Sequence, residues 1–224
     1  MEINSDEDAL SSALLAALGD LPVFPLPQAV LFPRALLPLH IFEPRYRAML
    51  AHCLETNRAI VIARIANATD VDERGEPRFA RVAGLGVIVR HQTLPDGRSN
   101  IVLQGRARVT LDERACDTPY RRANATILPD VRTRVSDADR AAILTAARSF
   151  AGELHKHADF EFSIPQDAAV DAIADLCAHH LVFDADARQA VLEEQDIAAR
   201  VRRVTAELAM QQRALEQKTG RPLN

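Results

Sequence analysis

The chain contains no tryptophan, and aromatic residues of all kinds make up 4% of its 224 residues. Its core must therefore be built mainly from Leu, Val, Ile and Ala. Apolar residues reach 48%, enough for one large domain or two small ones. Lysine is nearly missing: Lys156 and Lys218 are the only two among 27 basic residues. Arginine stays protonated, so few groups remain that could serve as a catalytic amine. Cysteine is scarce too. Cys53, Cys116 and Cys177 are odd in number, far apart and without a C-x-x-C pair. They read as reduced, mostly buried thiols of a cytoplasmic protein. No run approaches the roughly 20 apolar residues of a membrane helix. The acidic opening MEINSDED lacks the positive n-region of a secretory leader. A net charge of −4 gives no general attraction to nucleic acid or anionic membrane.

The motifs of catalysis are missing as well. Lys156 is followed by His157, and Lys218-Thr219 is preceded by Gln217, so neither lysine completes a G-x-x-x-x-G-K-[ST] phosphate loop. Gly84-x-Gly86 lacks a third glycine, and no G-x-S-x-G elbow exists. His155 and His157 are two apart and do not share a helix face. His179 and His180 are adjacent, and no H-E-x-x-H or Cys-His cluster occurs. His40, in an apolar strand, reads as a core or rim residue. Glu43 with Arg45 and Arg47 reads as an ion pair at a helix start in preference to an acid–base set. The expectation is no enzyme, no cofactor and no metal.

Proline, by contrast, is concentrated. Six of twelve lie between Leu21 and Leu50: Pro22, Pro25, Pro27, Pro33, Pro38 and Pro44. Proline has no donor N–H, so within a sheet it belongs at edges, strand ends and bulges. The pattern predicts two short strands, about Leu21–Leu26 and Ala35–Phe42, separated by a turn-rich crossing. After Glu43-Pro44 the apolar period changes. Tyr46, Met49, Leu50, Cys53 and Leu54 fall on one helical face, with Pro44 in the first turn.

Residues 2–18 predict a short amphipathic helix, acids first, stopped at Gly19-Asp20; it can dock on the main body or on another chain. Ala59–Ile65 is a β-branched strand. Asn67–Arg78 is polar, without period, and predicts a mobile loop. Phe79–Leu94 predicts a long strand in which Gly84 and Gly86 permit a bulge or bend. Leu94-Pro95-Asp96-Gly97-Arg98 is a hairpin turn, followed by an alternating strand, Asn100–Leu111, and a last strand, Tyr120–Leu128. So many bent strands favour a small curled antiparallel barrel. From Ser136 onward four helical stripes replace the strands, broken at Phe160–Pro165, with Asp184 and Asp196 as caps and Gly220 and Pro222 as the stop. The expected layout is a 1–20 extension, a 21–130 barrel and a 131–224 helical bundle, an α+β chain.

PVFPL, VLFP and LPLHIFEPRYRAM together resemble the opening of the amino-terminal domain of Lon proteases. The block LCAHHLVFDADARQAVLEEQDIAARV is similar to the helical part that follows it. Two positions depart from that pattern: Gln28 stands where the family often has an acidic residue, and Arg34 where a glycine often follows FP. The resemblance implies a PUA-like barrel without the family's ATPase and Ser-Lys protease domains. It also implies a role in engaging unfolded or exposed apolar polypeptide, adaptor- or chaperone-like, with a protease or chaperone as further partner. Phe32, Arg34, Leu36 and Leu37 on the crossing are the candidate contacts. The competing reading is that these apolar side chains are simply core. A second reading, nucleic-acid binding through Arg81, Arg90, Arg106, Arg108, Arg121 and Arg122 on one strand face, is opposed by the negative net charge and scarce aromatics.

Overall fold

A computed structural model describes residues 14–156 and 161–219. The chain forms two compact units, one ending at Leu128 and the other beginning at Pro129.

The first unit holds six strands: β1 (Leu21–Leu26), β2 (Leu36–Ile41), β3 (Ala59–Arg64), β4 (Val82–Thr93), β5 (Ser99–Arg114) and β6 (Arg121–Ile127). One helix, α1 (Pro44–Glu55), falls between β2 and β3. The strand order is β2-β5-β4-β3-β1-β6. The sheet curls until β6 meets both β1 and the distal half of β5. β2 stays outside this curl as an edge on the proximal half of β5. The α+β class matches the expectation, but the sheet is mixed, not antiparallel throughout. β1 and β3 run parallel, Val23 opposite Val61 and Leu26 opposite Arg64. The chain between them includes α1, and parallel strands need a long return of this kind.

The proline-rich crossing decides how the sheet curls. Val30, Leu31 and Phe32 are buried, and the backbone of Leu31 and Phe32 lies directly on glycines of β4 and β5. A Cβ on Gly84 would sit 2.0 Å from the Leu31 carbonyl oxygen, and one on Gly105 would sit 1.9 Å from that of Phe32. Only a residue without a side chain permits such an approach. The ladder shifts register between Leu85 and Gly86, placing a bulge where the glycines predict one. Arg34 then turns the chain into β2 with φ 68°, donating its N–H to the Gly105 carbonyl at 2.8 Å.

Two expectations change here. The polar stretch after β3 is not loose. It folds into a small turn with a Val71–Pro77 bridge and Gly75 at φ 79°. Asp72 Oδ1 accepts the N–H groups of Arg74 and Glu76. Of the N-terminal amphipathic segment, residues 1–13 lie outside the described residues. Leu14 and Ala17 join the buried cluster with Leu21, Val61, Leu85 and Val109, so the end of this segment docks on its own sheet.

The second unit contains α2 (Asp137–His155), α3 (Val170–Leu181), α4 (Ala185–Glu193) and α5 (Ile197–Thr219). Ser136, Asp184 and Asp196 cap helices by accepting the N–H groups of Asp139, Ala187 and Ala199. At its centre Arg200 is fully buried. It donates to both carboxylate oxygens of Asp130 at 2.7 and 2.9 Å and to the Glu194 carbonyl at 3.0 Å, and lies 3.3 Å from Asp175. The stop expected at Gly220 and Pro222 lies outside the described residues.

Candidate functional site

The geometry of β2 starts from one hydrogen bond. Gly105 donates its N–H to the Ala35 carbonyl at 2.9 Å. In an antiparallel pair the bonded positions alternate. Leu37, Leu39 and Ile41 therefore turn their backbone groups toward β5, and Leu36, Pro38 and His40 turn theirs outward along the sheet edge. Pro38 has no N–H to offer there. It interrupts the row of outward donors at its middle, which blunts the edge against indiscriminate pairing.

The side chains alternate as well. Leu36, Pro38 and His40 are exposed on one face, while Leu37, Leu39 and Ile41 turn toward the core. Across the ladder Pro38 faces Val102 and His40 faces Asn100; beyond them on β4 lie Arg90 and Gln92. A second register shift, between Ile88 and Arg90, bulges Val89 outward. The result is a groove of 780 Å³ lined by Pro38, His40, Val89, Arg90, Gln92 and Val102. His40 Nδ1 lies 2.8 Å from Asn100 Oδ1, and its ring stacks on Phe42 at 6.0 Å. Leu36 is 53% exposed and Phe42 57%, so both ends of β2 offer apolar side chains to solvent. The groove is thus apolar along β2, with amide and guanidinium groups along β4. His40 is a hydrogen-bonded rim residue.

The four predicted contact residues separate in space. Phe32 is wholly buried beneath the crossing and is a core residue, because its backbone must rest on Gly105. Leu37 is half-buried and faces the core side of β2. Leu36 and Arg34 are exposed. Sequence reasoning missed Pro38, His40, Phe42 and Val89. The first three could have been found by continuing the two-residue period from Leu36. Val89 could not, because it depends on a bulge.

The six arginines of the nucleic-acid reading do not share a free cationic face. Arg108 is buried. Arg121 is engaged by Glu113, and Arg122 by Asp20. Glu43 and Arg45 form the helix-start ion pair, at 3.0 Å. Burial pushes the Cys53 and Cys177 thiols up to about 12, which holds them protonated and poor as nucleophiles. Lys156 is engaged by Glu153 at 2.7 Å. Among the described residues no three His, Cys, Asp or Glu side chains gather as a metal site. Among them, too, no helix is long and apolar enough to cross a membrane.

Fold and surface together define a class: a curled, mixed six-stranded sheet followed by a helical unit. The chain belongs to the family described as the ATP-dependent protease La (LON) substrate-binding domain, whose model matches residues 20–210. It is 28% identical over 220 residues to Lon protease 2 of Herpetosiphon aurantiacus, covering 94% of this chain and 26% of that protein. It is 30% identical over 211 residues to Lon protease 2 of Sorangium cellulosum, covering 87% of this chain and 25% of that protein. The chain thus spans about a quarter of the length of these relatives, and the part matched is the non-catalytic one. The fold is similar to a crystal structure of a Lon N-terminal domain protein from Xanthomonas campestris, with a TM-score of 0.61 at 21% identity, covering 84% of this chain and 97% of that one.

Proposed function

We propose that the chain is a polypeptide-binding module that takes extended, apolar segments of unfolded or partly folded protein along β2 and into the groove beside it. It works without ATP, in the cytoplasm, and passes or shields its client as an adaptor or chaperone does, with a protease or chaperone as partner. The observation that carries this reading is the exposed edge strand bearing Leu36, Pro38 and His40 on one face, with exposed Phe42 just beyond its end. His40 presents an outward N–H group, and the carbonyls of Pro38 and His40 present outward acceptors. An extended client can pair with these while its alternate side chains enter the groove. Each such hydrogen bond contributes about 0.5–1.5 kcal/mol. Each apolar side chain removed from water adds roughly 1.5–3 kcal/mol when fully buried. The name of the family, a substrate-binding domain, agrees with a client of this kind.

Leu36→Asp tests the site. Leu36 is exposed, so the fold is expected to survive, while capture of a fluorescently labelled, permanently unfolded protein is lost. Unaltered capture by this variant would remove β2 as the client surface.

A further inference from the structure

A second cavity of the sheet unit shares no lining residue with the groove, and nothing in the proposed client binding uses it. Its volume is 220 Å³, below the size of a drug-like pocket and suited to a single apolar side chain. Pro25, Tyr46 and Tyr120 line it, with Arg45, Glu76 and Arg121 around them. Tyr46 packs against Phe24, ring centroids 4.2 Å apart, and Arg45 lies 4.7 Å over the Tyr46 ring.

The two guanidiniums differ in how they are held. Arg121 donates to Glu113 from two nitrogens and to the Pro77 carbonyl at 2.6 Å, and stacks 4.3 Å over Phe79. Its side chain is almost fully covered, so it acts as a fixed wall. Arg45 is half-exposed. Glu43 takes its Nε at 3.0 Å, and Glu76 meets Nη1 at 3.3 Å. Glu76 comes from the small turn between Val71 and Pro77, whose backbone Asp72 and Arg121 hold while the Glu76 side chain itself stays 46% exposed. An exposed ion pair of this sort contributes at most about 1 kcal/mol. The Glu76 carboxylate therefore occupies a guanidinium next to an aromatic-lined cavity, and can be exchanged for another.

We propose that this cavity is a site for a terminal carboxylate borne on an apolar residue, with Glu76 as its internal stand-in. The incoming carboxylate displaces Glu76 from Arg45, and its side chain rests on Pro25, Tyr46 and Tyr120. A guanidinium suits a planar carboxylate through paired N–H donors, a geometry an ammonium does not offer. The chemistry recognised is the same whether the carboxylate closes a polypeptide or belongs to a free small acid.

The test is a titration of the full chain, followed by the arginine side-chain Nε–Hε resonances and by calorimetry. The probes are N-acetyl-phenylalanine, its amide, and a hexapeptide ending in phenylalanine with a free carboxylate. The acid is expected to bind saturably and the amide not at all. Glu76→Gln removes the competitor and tightens binding by up to about five-fold, the equivalent of an exposed ion pair. Arg45→Gln abolishes it, and Leu36→Asp leaves it untouched, which separates this site from the client groove. A hexapeptide that binds more tightly than the acid assigns the site to chain ends; equal binding assigns it to small acids. Absence of saturable binding in Glu76→Gln, equal binding of acid and amide, or undiminished binding in Arg45→Gln each overturns the proposal.

Discussion

The two units differ in what lies at their centres and edges. In the helical unit the largest buried side chain is an arginine, Arg200, held by Asp130 and Asp175. In the sheet unit the ion pairs of Arg45, Arg78 and Arg98 stay at the surface; Arg64 and Arg108 are buried, beside a core cluster that is aliphatic. Around one edge the sheet unit also leaves apolar side chains outside: Leu36, Phe42 and Val89. The physical reason lies in the backbone. Helices satisfy their own N–H and C=O groups, so a bundle needs something more directional than apolar packing to choose one arrangement, and a buried hydrogen-bonded arginine can supply it. A curled sheet takes its arrangement from ladders and close backbone contacts, but it keeps an edge with unused donors and acceptors. That edge makes the sheet unit the better candidate for binding an extended chain.

The contrast can be broken at its strongest point first. Gly105→Ala drives a Cβ into the Phe32 carbonyl. The loss is expected to exceed about 4 kcal/mol, the range reserved for exceptional substitutions, in urea denaturation followed by far-UV circular dichroism. Wild-type stability in this variant would show that the crossing does not lie on β5. Next comes Arg200→Ala, which strands the buried Asp175 carboxylate and frees the half-buried Asp130, and is expected to cost about 3–5 kcal/mol. Replacing Arg200, Asp130 and Asp175 together by apolar residues should recover most of that loss; failure to recover would mean the ion network does more than balance its own charges.

Smaller effects sharpen the comparison. Arg34 holds φ 68°, at the position where the family pattern often has glycine. Left-handed backbone costs a side-chain-bearing residue roughly 1–2 kcal/mol, partly offset by the greater unfolded-state freedom of glycine. Arg34→Gly should thus raise stability by up to about 1 kcal/mol; a decrease would mean that the arginine side chain has a role of its own. Leu36→Asp should change stability by no more than about 0.5 kcal/mol. A larger loss would identify Leu36 as part of the core and not of a surface.

The smallest effect concerns pH. The Glu76 backbone N–H, with that of Arg74, holds the Asp72 carboxyl below its ordinary 3.8. A carboxyl depressed in the folded state contributes stability above its unfolded pKa and loses it as pH falls through the folded value. Amide exchange at Gly75 and Glu76 should therefore accelerate selectively, relative to β4 and β5, as pH drops below 3.8. Asp72→Asn should show the faster exchange already at neutral pH.

Much of the fold was legible because its signals are local. Proline positions, the switch from a two-residue to a three-to-four-residue period after Glu43, and Ser136, Asp184 and Asp196 as caps depend on neighbours in the chain. Most strands fall within two or three residues of their expected limits. The family resemblance was legible for the same reason, resting on a contiguous motif. The misplaced expectations are all long-range. Phe32 looks like Leu36 in sequence: both are apolar, in one proline-rich stretch. Asn67–Arg78 carries no period, yet distant Arg45 and Arg121 engage its Glu76 and Asp72.

The residue order alone therefore determined the elements, their ends and the alternation that exposes every second residue of β2. Tertiary structure decided which apolar residues of the crossing are core, because only the approach to Gly84 and Gly105 buries Leu31 and Phe32. It also decided that β1 and β3 run parallel and that Val89 bulges into the groove. Local propensity acts over a few residues, whereas burial and register depend on which distant strand lies alongside, and nothing in a short window of sequence encodes that distance.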